Sequence, residues 1–150
     1  MNEVPPPVNP DESSDHNSPG KSAIEVFFPP CMELLFPQVA SQLDWNQEPV
    51  FMDKELQKLT SDSNDSRRHV DKLIRVCTLA GEFRWILLHI EVQGEPEAEF
   101  TRRMFTYYYR MVERFNEPVV SMAILTDTRK SFRPDHYWQE LMGCSIRFDF

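Results

Sequence analysis

The sequence predicts an α/β domain in which a mixed central sheet is flanked by helices, and three stretches carry that expectation. Residues 69–78 (HVDKLIRVCT) and 83–93 (FRWILLHIEVQ) are apolar runs of strand length around the only glycine of the region, in Ala80-Gly81-Glu82, so they read as a hairpin. A helical repeat follows at about 97–115, where Phe100, Met104, Tyr108, Met111 and Phe115 recur every three or four residues. Residues 119–125 (VVSMAIL) then read as a second buried strand. Strand, long helix, strand implies a parallel pair joined by a right-handed crossover, beside an antiparallel hairpin.

The remaining elements follow in chain order. Residues 1–20 hold five of the twelve prolines, the acids Glu3, Asp11, Glu12 and Asp15, and no lysine, arginine, phenylalanine, tyrosine or tryptophan. They read as a disordered acidic tail, followed by one domain over 21–150. From Lys21 to Trp45, short apolar faces at Ile24, Phe27 and Phe28, then Met32, Leu34, Leu35 and Phe36, then Val39 and Leu43, are broken by Pro29-Pro30 and Pro37. Two or three short helices packed on the sheet are expected. Residues 50–59 (VFMDKELQKL) alternate loosely and read as an edge strand on which Asp53 and Glu55 form a solvated, charged border. Residues 61–68 are a polar loop ending in Arg67-Arg68, two cations that could meet a phosphate. After the crossover, 126–134 is a polar connection, and 136–141 with 144–150 form a last hairpin turning at Met142-Gly143.

Composition excludes several classes. With 41% hydrophobic residues and eleven phenylalanines the chain is globular, and no apolar run of membrane-spanning length or basic-then-apolar leader occurs. Cys31, Cys77 and Cys144 are odd in number and lack CxxC spacing, which suits reduced thiols in the cytoplasm and neither a disulfide framework nor a zinc site. Net charge is −8, or −4 without the four acids of the tail, so any nucleic-acid contact must be local or routed through a cation. No glycine-rich phosphate loop, GxSxG elbow or HExxH pattern is present. His16, His69, His89 and His136 are scattered, and His89 reads as a hydrogen-bonded core histidine before it reads as a metal ligand.

Polar groups inside the central hairpin point to chemistry. Asp71 interrupts the first strand, and Glu91 and Gln93 interrupt the second on one face. Pairing Leu79 with Glu82 across the loop sets Asp71 opposite Ile90, and a one-residue change of register sets it opposite Glu91. Converging carboxylates in an apolar sheet repel unless one is protonated or a cation neutralises both. Magnesium, typically held by one or two carboxylates plus water and phosphate, suits such a pair. The plainer alternative leaves Asp71 in solvent and Glu91 bonded to a nearby arginine. On the long helix Arg103, Tyr107, Arg110 and Arg114 form a stripe beside the core face, open to solvation, ion pairing or phosphate contact.

Val70-Asp71-Lys72, His89-Ile90-Glu91-Val92-Gln93-Gly94, Arg102-Arg103-Met104-Phe105 and Tyr107-Tyr108-Tyr109-Arg110, with Phe51 to Leu56 and Pro118-Val119-Val120, form an ordered series. Over most of residues 21–148 it resembles the Rpn family, the recombination-promoting nuclease or transposase-like branch of the PD-(D/E)XK nucleases. The resemblance implies a restriction-endonuclease-like fold and Mg²⁺-dependent hydrolysis of DNA, linked to recombination or mobile elements, with Mn²⁺ as a substitute ion. It implies Asp71, Glu91 and Gln93 as catalytic residues and Asp71 and Glu91 as the metal ligands; beside these, Arg103, on the first turns after Gln93, and Lys72, a replacement charge, are the candidate DNA contacts. Gln93 stands where the wider superfamily usually has lysine, so an amide replaces a positive charge. Many relatives begin with His-Asp on a first helix; here His16-Asn17-Ser18-Pro19-Gly20-Lys21 is the best register, with Glu25 as a substitute acid. Relatives generally continue past Phe150, which implies a domain cut short at its C-terminus. A catalytically silent remnant that binds nucleic acid or protein is the competing reading, and a plain protein-interaction domain a third. Oligomeric state stays open, a dimer included.

Overall fold

The computed structural model describes residues 19–60 and 70–150. Most of the expected tail, with His16 and Asn17, the segment expected as a polar loop with Arg67 and Arg68, and His69 of the expected first strand lie outside them.

The chain enters through three short helices, each opened by proline. Helix α1 (Pro19–Val26) starts at Pro19-Gly20, because proline's fixed φ and missing N–H are tolerated in a first turn. The same logic starts α2 (Phe28–Leu35) at Pro29-Pro30 and α3 (Pro37–Ala40) at Pro37. Strand β1 is only Val50–Phe51, and α4 (Asp53–Thr60) occupies most of the expected edge strand. Leu56 and Thr60 step by four and are both buried, while Asp53 and Glu55 lie in the helix's first turn, where its dipole favours acids. The loose alternation of 50–59 is thus a helical face.

β2 (Val70–Cys77) and β3 (Trp85–Gln93) form the central antiparallel hairpin, α5 (Phe100–Phe115) crosses over, and β4 (Val119–Leu125) returns parallel to β3. The sheet order is β1-β2-β3-β4, a mixed four-stranded sheet. Helix α5 ends on Asn116, which takes the left-handed conformation (φ 50°) and donates its N–H to Val112. Hairpin β5 (His136–Leu141) and β6 (Cys144–Asp149) forms a separate two-stranded sheet. Met142 and Gly143 both have positive φ (51° and 80°), as a two-residue turn requires. Among the described residues no helix is long and apolar enough to cross a membrane.

Side chains alternate between two cores. On one face Ile74, Val76, Leu88, Ile90 and Met122 meet Ile24, Phe28, Met32 and Ala40 of the entry helices. On the other, Leu73 and Leu87 meet Leu56 of α4 and Tyr107 and Met111 of α5. Tyr107 is the buried member of its pair and Tyr108 is only partly covered, reversing the expected assignment. At 100° per residue, position 107 lies within about 20° of Phe100, whereas 108 is roughly 80° away. Tyr108 instead stacks on Phe148 (ring centroids 4.7 Å apart), and Phe105 on Tyr137 (5.0 Å), so aromatics fasten the last hairpin to α5.

Candidate metal centre

Register decides which side chains meet. Asp71 lies directly opposite Glu91, not Ile90. Thr78 causes the shift: its N–H donates to the Arg84 carbonyl at 2.8 Å and its hydroxyl to the Phe83 carbonyl at 2.6 Å, closing a wider loop than Ala80-Gly81-Glu82 alone. Opposed residues of an antiparallel pair share a face, so both carboxylates point to the α5 side of the sheet. His89 and Gln93 share it, and β4 contributes Ser121, Ala123 and Leu125 alongside.

Glu91 is fully buried (0% exposed), and Asp71 is half-buried. A carboxylate so deep stays ionised only beside a cation, and the cation is Arg103, from the first turn of α5. Its Nε and Nη2 donate to Glu91 Oε1 at 2.9 and 2.5 Å, Nη2 also donates to Gln93 Oε1 at 2.9 Å, and Nη1 donates to Glu97 Oε1 at 2.5 Å. Burial alone lowers the guanidinium's pKa, but the Glu91 charge and the bonds to Glu97 and Glu91 outweigh it, and the net shift is upward. The arginine of the plainer sequence alternative is therefore present, and it is the residue expected to contact phosphate. Gln93 donates from Nε2 to the Glu95 carbonyl at 2.6 Å and to Glu97 Oε2 at 3.3 Å, so its amide ties down the loop that leads into α5.

Lys72 is not beside this site. Its side chain points to the opposite face, 1% exposed, where it pairs with Glu25 of α1 at 3.1 Å and with Asp53 of α4. That burial places it beyond the reach of a DNA phosphate and leaves Glu25 engaged away from Asp71 and Glu91. Arg110, elsewhere on the arginine stripe, donates to the Leu59 carbonyl at 2.9 Å and so joins α5 to α4.

His89 corrects another expectation. Fully buried, it has no hydrogen-bond partner for either ring nitrogen among the described residues, and Ser121 Oγ, on the adjoining strand, has none either. Its ring stands edge-on to Tyr107, centroids 6.1 Å apart. Burial first, then the Arg103 charge, lowers its pKa from 6.5 to about 4, so it is neutral at pH 7. The unfolded chain binds a proton near pH 6.5 that the folded chain refuses until about 4, so stability falls as pH drops through that window. The loss approaches roughly 3 kcal/mol, because each pH interval of one between the two values is worth about 1.36 kcal/mol. Urea unfolding at pH 7, 5.5 and 4.5 with EDTA should show it in the wild type and not in His89→Leu. A stability difference between the two proteins that stays constant with pH would refute it.

Oxygen is the donor chemistry of this face: two carboxylates and the Gln93 amide oxygen, a set suited to a hard cation. Formal charges on Asp71, Glu91 and Glu97 against Arg103 leave −2, which one divalent ion balances. Among the described residues no three His, Cys, Asp or Glu side chains converge as a metal-binding group. Asp71 and Glu91 would supply two carboxylates, with water and a ligand's oxygens completing the shell, as magnesium commonly accepts. Comparison with family models, curated proteins and solved structures finds no match to this chain.

Proposed function

We propose that the domain is a divalent-metal-dependent nuclease that hydrolyses a DNA phosphodiester beside Asp71 and Glu91. The observation that carries the reading is the Asp71–Glu91 register, which sets two carboxylates on one face of the central hairpin. The order hairpin, helix, parallel strand is also what a restriction-endonuclease-like core requires, and the resemblance to the Rpn nucleases rests on the same residues.

In this reading Asp71 and Glu91 hold Mg²⁺ or Mn²⁺, which when bound supplies a Lewis acid and a water of lowered pKa. Glu91 is placed rigidly by the centre of the sheet and shielded from solvent, so it contributes a fixed charge at no cost of reorganisation. Asp71, half-buried, lies at the accessible side of the pair. Gln93 fixes the 94–97 segment, and through it the acid Glu97 that steadies Arg103. Lys72 brings no positive charge to the site, because it is sealed on the other face. That last observation favours a second reading: a nuclease-like fold without catalysis that binds nucleic acid or protein.

Supercoiled plasmid separates the two. Nicking is expected with Mg²⁺ or Mn²⁺, absent with EDTA, and lost in Asp71→Asn. Equal nicking by wild type and variant removes the nuclease reading, and salt-dependent DNA binding without cleavage supports the second.

A further inference from the structure

Arg103 bridges two acids in very different surroundings. Nε and Nη2 close on Glu91 Oε1, which is 0% exposed, while Nη1 holds Glu97, whose side chain is 32% exposed. The guanidinium is itself 11% exposed and lies over the Phe100 ring, 5.4 Å from its centroid. Phe100 is fully buried, so this stack fixes the root of the side chain while its fork spans the two carboxylates. A divalent ion on Glu91 would meet a resident positive charge on the same carboxylate, and two cations that close repel strongly.

We infer that Arg103 is the built-in counter-ion of the metal site, paired with Glu91 in the ion's absence and transferring to Glu97 when the ion binds. The inference deepens the nuclease reading and rests on Asp71 and Glu91 taking the ion. Arg103 compensates the buried charge of Glu91 and competes with the metal for the same carboxylate. Glu97 makes the exchange feasible: it is already bonded to Nη1, so release from Glu91 leaves the guanidinium paired rather than stranded. Glu97 lies before α5 on the more exposed side, so the shift carries the fork outward. There its planar donors can meet a phosphate oxygen. Arg103 thus becomes available to an anionic substrate only when the metal is in place, coupling the two binding events.

Mn²⁺ binding to the full chain without nucleic acid, followed by calorimetry at constant ionic strength, tests the exchange. Arg103→Gln is expected to bind Mn²⁺ about tenfold more tightly than wild type, since a like charge leaves the site. Glu97→Gln is expected to bind several-fold more weakly, since Arg103 loses its alternative partner and stays on Glu91. Binding by Arg103→Gln alone would be the extreme form of the same result. Equal affinity in wild type and Arg103→Gln, with binding lost in Glu91→Gln, overturns the counter-ion role and leaves the metal site intact. Absence of Mn²⁺ binding in wild type and Arg103→Gln alike removes the metal reading itself. If Arg103→Gln does not fold, the wild type suffices: water exchange of the Arg103 Nε–H, followed by ¹⁵N NMR, should accelerate about tenfold on Mg²⁺ saturation as its bond to Glu91 opens. An unchanged rate at saturation overturns the inference.

Discussion

On the nuclease proposal, Glu91→Gln should lower Mg²⁺-dependent nicking of supercoiled plasmid on the order of 100-fold while the protein stays folded, whereas Glu91→Ala should lose activity and stability together. Glutamine keeps the shape of the side chain and an oxygen that can accept the Arg103 bonds at 2.5 and 2.9 Å. What it removes is the negative charge a divalent ion needs. Metal assistance supplies several kcal/mol to a phosphoryl transition state, and about 1.4 kcal/mol is tenfold in rate, which sets the scale of the loss. Alanine also empties a fully buried position and strips Arg103 of its deepest partner. Removing one member of a buried pair costs roughly 3–5 kcal/mol, and the surviving Glu97 bond should keep this case near the lower end. That is a large part of the roughly 5–15 kcal/mol that holds a domain together. Alanine would therefore silence the protein for a structural reason as well as a chemical one, and glutamine is the variant whose result is decisive. Nicking rates read alongside melting curves make the comparison. Wild-type activity in a folded Glu91→Gln protein would exclude the carboxylate from the reaction.

The parts of the fold that could be read in the sequence are those whose patterns have one structural solution. Residues 83–93 are too continuously apolar for anything but a central strand, and Phe100, Met104 and Met111 recur too regularly for anything but a helix. The order of strand, helix and strand then constrained the topology, and β4 pairs with β3 in parallel as expected. The segment 50–60 misleads because a short amphipathic helix and a loosely alternating strand look alike over eight or so residues. Local contacts settle it, with Leu56 burying itself against Leu73 and Leu87.

The site was legible in composition and not in wiring. Polar residues in an apolar hairpin marked Asp71, Glu91 and Gln93 as unusual, and strand periodicity put Glu91 with Gln93. Whether Asp71 faced them hung on one residue of loop register, which the Thr78 hydrogen bonds decide. Pattern alone could not find Glu97 as a member of the network, since it lies in a turn with Glu95 and Glu99 and only the direction of α5 singles it out. The spacing of six between Glu97 and Arg103 exceeds the three or four at which helix neighbours meet. Arg103 could be suspected of touching Glu91, but that one guanidinium would serve Glu91, Gln93 and Glu97 together is a property of the tertiary packing.

Lys72→Met should lower stability by about 2–3 kcal/mol and leave any DNA affinity of the folded protein unchanged. Lys72 is 1% exposed and ties three elements: it sits on β2, bonds Glu25 of α1 at 3.1 Å, and bonds Asp53 at the start of α4. Methionine retains much of the aliphatic stem of a side chain whose Nζ lies 5.6 Å from the Phe51 ring centroid, so the change isolates the charge. Breaking a fully buried pair costs roughly 3–5 kcal/mol, but Asp53 and Glu25 are 22% and 34% exposed and can recover part of their hydration, which reduces the figure. In a domain of this size the loss corresponds to a fall of roughly 10 °C in Tm. A lysine that met phosphate would behave in the opposite way, with melting nearly unchanged and the salt dependence of DNA binding reduced by about one counter-ion. The two assays together decide between a clasp and a contact, and burial of the ammonium beneath two helices is the physical reason to expect the clasp. The same position separates the two faces of β2: Asp71 is presented toward α5 and the candidate metal site, while the Lys72 ammonium points to the other face and clasps α1 and the start of α4.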